Sequence, residues 1–187
     1  MEVEAIRDLG KIAEMKAALK GRGGRDELLF VMGINTALRI GDLLSLSVGD
    51  VLDEKGNISM SLNMKEQKTG KAKRFPLNSA VKNALFDYLS QRRCADRSEP
   101  LFASQKGGAL SRSQAWRLLK KAAESIGLEN IGTHSLRKTF GYQVYKKSGG
   151  DLALVQKLMN HSTSRVTLSY IGIDREAMDY AYLSLNL

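Results

Sequence analysis

Residues 131–170 read IGTHSLRKTFGYQVYKKSGGDLALVQKLMNHSTSRVTLSY, and the rest of the chain is best understood from this stretch outward. It holds both histidines of the protein, His134 and His161, together with Arg137, Lys138, Lys146, Lys147, Lys157 and Arg165. Its one carboxylate, Asp151, opens an apolar-periodic run and is predicted to cap a helix rather than to act as a ligand. Cations and imidazoles without acids describe a pocket for an anion. Metal-assisted phosphodiester chemistry takes clustered Asp and Glu, and a zinc site takes several converging His, Cys or carboxylate ligands. Neither set occurs in this stretch. A phosphate held here is neutralised by the protein's own cations, and arginine's planar fork of donors suits two phosphate oxygens at once.

Spacing sharpens the reading. His134 and Arg137 lie three apart at the start of a predicted helix capped by Thr133, so they share a face. His161 and Tyr170 lie nine apart, about two and a half turns, which puts them on opposite faces of any continuous helix. A site common to both requires a break. Residues 160–164, NHSTS, supply it, because these side chains compete for backbone hydrogen bonds and favour turns and new caps.

The order HSLR at 134–137, NHS at 160–162 and then Tyr170 resembles the signature of the tyrosine recombinases, also called phage integrases. Two upstream segments are similar to further motifs of that family. Ala37-Leu38-Arg39-Ile40-Gly41-Asp42-Leu43-Leu44-Ser45-Leu46 resembles its first arginine motif, with Ala37 and Gly41 where relatives often carry Gly and a polar residue. Gln67-Lys68-Thr69-Gly70 ahead of Phe75-Pro76-Leu77 resembles its β-hairpin lysine. The resemblance therefore runs through nearly the whole chain. One departure is Asn160, which stands where a glycine is frequent before the second histidine.

That resemblance implies a phosphoryl-transfer site made of Arg39, Lys68, His134, Arg137, His161 and Tyr170. Tyr170 would be the nucleophile, leaving a 3′-phosphotyrosine and a free 5′-hydroxyl. A free phenol has a pKa of about 10 and needs help to lose its proton. Histidine is the natural acceptor, and which of His134 and His161 handles the proton in each direction stays open. Arg39 and Arg137 would stabilise the extra negative charge of the transition state. Lys68 would protonate the leaving oxygen, with Lys71 and Lys73 as rivals, because a hairpin that slips register changes which lysine points inward. Read locally, each residue has a plainer meaning: Arg39 pairs with Asp42 one turn on, and a solitary histidine or tyrosine fills a core or a surface. The six positions in order favour the shared site.

The remainder of the chain fits one domain. It has 187 residues, 43% hydrophobic and 26% charged, enough to bury a core. Net charge is +9, which favours a polyanionic partner such as double-stranded DNA. The single cysteine, Cys94, excludes an intramolecular disulfide and fits a reducing compartment. No apolar run is long enough to span a bilayer and the acidic start does not suit a signal peptide, so a cytoplasmic protein is expected.

Apolar periodicity predicts helices from about 8 to 20, from Asp26 through Ile34, from a Ser79 cap through Leu89, from a Ser111 cap through Ile126, and from about Asp174 through Leu185. Residues 48–52, 58–64 and 74–77 are predicted strands, with 65–73 as a hairpin tip. The expected fold class is α+β, mainly helical with a small antiparallel sheet, and by resemblance the tyrosine recombinase catalytic domain. The resemblance makes residues 1–187 a single catalytic domain without the N-terminal core-binding domain of most relatives, so DNA binding by this piece is expected to be weak and salt-dependent. Lys71, Lys73, Ser111, Arg112, Ser113, Arg117, Lys138 and Arg165 are candidate DNA contacts. The last helix is expected to pack on its own domain or to reach a neighbouring protomer on DNA, giving a dimer or tetramer.

The function implied is a site-specific recombinase or integrase that needs no metal, ATP or other cofactor. Two alternatives stay open: a non-catalytic DNA-binding regulator of the same fold, for which gaps among the six positions would be expected, and a type IB topoisomerase-like relaxing enzyme.

Overall fold

The computed structural model describes residues 3–65, 70, 72–92, 96–105 and 107–185, the side chains of Arg175 and Glu176 excepted. Its centre is helix α2 (Gly24–Thr36), in which Leu28, Leu29, Phe30, Val31 and Met32 are all buried. A helix that is apolar on every side must be enclosed. Here α1 (Leu9–Lys20), α4 (Ser79–Gln91) and α6 (Thr133–Lys147) enclose it. A short helix α3 (Ile40–Leu44) follows, and the antiparallel strands β1 (Ser61–Lys65) and β2 (Ala72–Pro76) pair with Leu62 opposite Phe75 and Met64 opposite Lys73. Helix α5 (Arg112–Glu124) leads back to α6, and α7 (Leu152–Met159), α8 (Ser164–Ile171) and α9 (Ile173–Ser184) close the chain. The fold is mainly helical with a small antiparallel sheet, as its sequence implies.

Two glycines let the helices that carry the site approach closely. A Cβ on Gly33 of α2 would lie 2.5 Å from a terminal methyl of Leu136, the residue before Arg137. A Cβ on Gly141 of α6 would lie 2.7 Å from Sδ of Met159 and 2.8 Å from a methyl of Ile171. Residues Tyr142, Val155, Met159 and Ile171 form a small apolar cluster of their own, which sets α7 and α8 against α6.

Several local expectations are corrected. Residues 48–52 do not form a strand: Val48–Val51 is a 3-10 turn, because Asp50 accepts from the Ser47 amide at 2.7 Å and the Ser47 hydroxyl at 2.8 Å and curls the chain. The later strand begins at Ser61, with Ile58 only bridging Leu52. Thr133 is the first residue of α6 rather than its cap; Gly132 precedes it, its amide donating to Ser135 Oγ at 3.1 Å. Asn78, not Ser79, caps α4, accepting from the Val81 amide at 3.0 Å. Helix α2 starts two residues before Asp26, whose carboxylate pairs with Arg25 at 2.7 Å instead of capping.

Candidate active site

Arg39 is presented by a sharp reversal. Helix α2 stops at Ala37, which takes the left-handed conformation (φ 57°), and Arg39 then lies extended just before α3. A non-glycine residue pays steric strain there, which accounts for the glycine frequent at this point in the resembling motif. Leu38 between them is buried and anchors the turn.

Arg137 is the strut of the site. Buried on α6, it donates one terminal guanidinium nitrogen to the Ala37 carbonyl and the other to the Met159 carbonyl. Those carbonyls precede Arg39 and His161 by two residues each, so one planar side chain gathers both segments.

His161 follows the predicted break. Helix α7 ends at Asn160 in the left-handed conformation (φ 53°), which asparagine tolerates better than most residues. The Asn160 substitution therefore preserves the turn. Gln156 fixes the backbone of His161 on both sides: its carbonyl accepts from the His161 amide at 3.1 Å and its side-chain amide donates to the His161 carbonyl at 3.2 Å. On the ring, Nδ1 lies 3.2 Å from Thr167 Oγ1.

Tyr170 comes from α8, whose start Thr163 caps by accepting from the Val166 amide at 3.2 Å. Its hydroxyl lies 3.4 Å from His134 Nδ1, and its ring meets that of His161 edge-on, centroids 5.1 Å apart at 71°. The Lys138 ammonium sits 5.4 Å from the Tyr170 ring centroid. His134, Lys138, Arg165 and Tyr170 all border one open hollow of about 590 Å³.

The electrostatics follow from this crowding. Partial burial, then the charges of Arg137, Lys138 and Arg39, hold His134 below the ordinary imidazole value. Burial, then Arg137 and Arg39, do the same to His161. Burial pushes the Tyr170 phenol up, and Arg137 and Arg39 pull it only part of the way back. At neutral pH the site thus holds two uncharged imidazoles beside a protonated phenol. That is the starting state for moving the phenol's proton to a base.

Arg39, His134, Arg137, His161 and Tyr170 are thus brought together. Lys68 and Lys71 lie outside the described residues. Lys73 lies on β2, and with Ala37 and Lys157 it borders a hollow of about 190 Å³, so the hairpin's return strand sits against the turn that presents Arg39. Lys138 is buried under Tyr170 rather than on an open face, while Arg165 is exposed at the rim. Ser111, Arg112, Ser113 and Arg117 form an exposed group at the start of α5, where Ser111 accepts from the Gln114 amide at 3.2 Å and Arg117 donates to the Ser113 carbonyl at 3.3 Å. Sequence reasoning missed Gln156 and Thr167. No helical spacing links either to His161, since the break lies between. Among the described residues, no group of three His, Cys, Asp or Glu gathers that could hold a metal ion. Nor is any described helix long and apolar enough to cross a membrane.

Comparison with known proteins places the chain in a family. Residues 4–176 match the phage integrase family. The chain is 41% identical over 181 residues to a probable integrase/recombinase, YoeC, of Bacillus subtilis (strain 168), covering 96% of this chain and 95% of that protein. It is 32% identical to the tyrosine recombinase XerD of Corynebacterium glutamicum over 82% of this chain, but spans only 50% of that protein. Among solved structures it superposes on the XerH site-specific recombinase bound to difH substrate in a pre-cleavage complex, with a TM-score of 0.72 and 22% identity over 97% of this chain and 55% of that one. With the family matched across the five gathered residues, this chain belongs to the phage integrase family, the tyrosine recombinases.

Proposed function

We propose that this chain breaks and rejoins duplex DNA through a 3′-phosphotyrosine intermediate, as the catalytic domain of a site-specific recombinase acting in the cytoplasm. The observation that carries this reading is the Tyr170 hydroxyl held beside His134 Nδ1, with the Tyr170 ring edge-on to that of His161 and the buried Arg137 acting on the phenol. The Tyr170 oxygen forms a bond to phosphorus while the bond to the 5′-oxygen breaks, and the phenol's proton passes to an imidazole. Arg39 and Arg137 stabilise the five-coordinate phosphorus, an effect worth roughly 3 kcal/mol for one such donor. Lys68, or Lys71 or Lys73 from the same hairpin, protonates the departing 5′-oxygen. Attack by a 5′-hydroxyl of another strand recombines the DNA; attack by the original one reseals it. One ester is exchanged for another, so no ATP is needed, and the cationic side chains take the part that a metal plays elsewhere.

Arg165 at the rim and the group at the start of α5 serve as contacts to the DNA backbone. Assembly on DNA uses α9, whose Met178, Tyr180, Tyr182 and Leu183 are exposed. The test is a nicked duplex whose short fragment diffuses away after cleavage. A covalent protein–DNA band is expected on a denaturing gel, with or without a chelator, and none from Tyr170→Phe. A band that survives this substitution assigns the nucleophile elsewhere.

A further inference from the structure

Residues 4–7 are tied to α6 and to the loop before it. The Glu4 amide donates to the Asn130 carbonyl at 2.9 Å, the Ile6 amide to Thr139 Oγ1 at 2.8 Å, and Gln143 Nε2 donates to the Arg7 carbonyl at 2.8 Å. Ile6 is buried, and the Arg7 guanidinium carbon lies 5.3 Å from the centroid of the Tyr142 ring. Arg7 is thus fixed to the helix that carries His134 and Arg137.

From there its Nη2 donates to the Gly172 carbonyl at 3.1 Å, 165 positions further along the chain. Guanidinium nitrogens only donate and a carbonyl only accepts, so the direction of this bond is fixed. Gly172 is the left-handed residue (φ 77°) on which α8 turns into α9, two after Tyr170. A Cβ there would lie 2.8 Å from the same Nη2, so glycine serves both the turn and the guanidinium's approach. This corner needs outside support. Helix α8 has eight residues, too few to hold its shape alone, and residues 177–185 of α9 are exposed. Ile171 packs into the apolar cluster on α6, and Arg7 holds the carbonyl that follows it.

We infer that Arg7 is a positioning residue for the nucleophile, setting where the Tyr170 hydroxyl stands relative to His134 by tying the Gly172 carbonyl to α6. Tyr170 borders a hollow of about 440 Å³ that Ala5, Arg7 and Gly172 also border. Its ring therefore has room to retreat from His134 once the corner is loosened. The effect on rate rests on the reading of Tyr170 as nucleophile; the hold on the corner does not.

The experiment uses the whole chain and two variants, Arg7→Met, which keeps the apolar stem and loses the donors, and Arg7→Lys, which keeps one. Single-turnover adduct formation on the nicked duplex is followed across DNA concentrations, beside hydrogen exchange of peptides covering 166–174. Arg7→Met should lower the rate constant at saturating duplex on the order of tenfold, with the half-saturating concentration and the reactive fraction unchanged. It should also speed exchange at the corner by about tenfold, the equivalent of one lost hydrogen bond. Arg7→Lys should recover most of both. An unchanged rate constant with unchanged exchange overturns the inference. So does a loss confined to the reactive fraction, which marks a merely structural residue, or one confined to the half-saturating concentration, which marks a DNA contact. If Arg7→Met does not fold, Arg7→Gln, too short to reach the carbonyl, carries the same expectations. If no form, wild type included, yields an adduct, the proposed reaction fails and the exchange at 166–174 alone decides whether Arg7 holds the corner.

Discussion

Arg137 donates to the main-chain oxygen of Ala37, a residue 100 positions earlier, two before Arg39. The same guanidinium reaches Met159, two before His161, so the residue proposed to grip a phosphate also ties together the segments that carry Arg39 and His161. Lysine carries its three N–H donors on one nitrogen at the end of a flexible stem and lacks the planar fork that sends two separate nitrogens to the two carbonyls. Arg137→Lys should therefore lose stability as well as rate: about 1–3 kcal/mol for a buried acceptor left unpaired, and about a hundredfold or more in cleavage. Arg39→Lys, at a half-buried position, should lose comparable rate but less stability. Denaturant melts beside single-turnover cleavage of the nicked duplex separate the two.

Gly141 sets the distance between α6 and the helices bearing His161 and Tyr170. In Gly141→Ala the new methyl meets Met159 and Ile171 at 2.7 and 2.8 Å. Overpacking of this kind typically costs about 1–3 kcal/mol. Because the displaced residues lie two before His161 and next to Tyr170, a lower denaturation midpoint should come with slower adduct formation. Unchanged kinetics at full stability would mean that this approach does not govern the site.

Stability should vary with pH through the two histidines. Both are held below the ordinary imidazole value in the folded protein. The unfolded chain therefore binds more protons between those lowered values and about pH 6.5. Their contribution is full above about pH 6.5 and is lost as the pH falls through the folded values. Thermal melts across this window should show the decline, and His161→Gln should reduce its slope.

Asn160 holds a left-handed turn that a β-carbon resists. Asn160→Gly should leave cleavage and stability nearly unchanged, whereas Asn160→Ala should cost about 1 kcal/mol. Melting both variants beside the wild type checks the difference.

How much of this was legible in the sequence follows from what each feature depends on. Arg39, His134, Arg137, His161 and Tyr170 could be singled out together only because their motifs, in that order, resemble those of the tyrosine recombinases, while each alone has a plainer meaning; the polar run before Tyr170 announced the break that lets His161 and Tyr170 meet. The helices were readable where apolar periodicity was strong, as in α2. Boundaries were not: Gly132 and Asn78 cap their helices although Thr133 and Ser79 offer equally suitable hydroxyls, and neighbouring polar residues cannot be ranked without tertiary contacts. Residues 48–52 looked like a strand because β-branched and apolar residues mark strands, but the Ser47–Asp50 bonds are stronger local instructions. The two ties from Arg137 to main-chain carbonyls, and the Thr167 contact to His161, leave no mark in residue identity, since any residue supplies a carbonyl and threonine is common.

The account stands on Tyr170 as the group that becomes bonded to DNA. Its most direct test is tandem mass spectrometry of the adduct trapped on a nicked duplex, after digestion of protein and DNA. The account predicts a short 3′-linked nucleotide on the peptide containing Tyr170, and on no other peptide. Nucleotide attached to a different residue, or linked through its 5′ end, would contradict it.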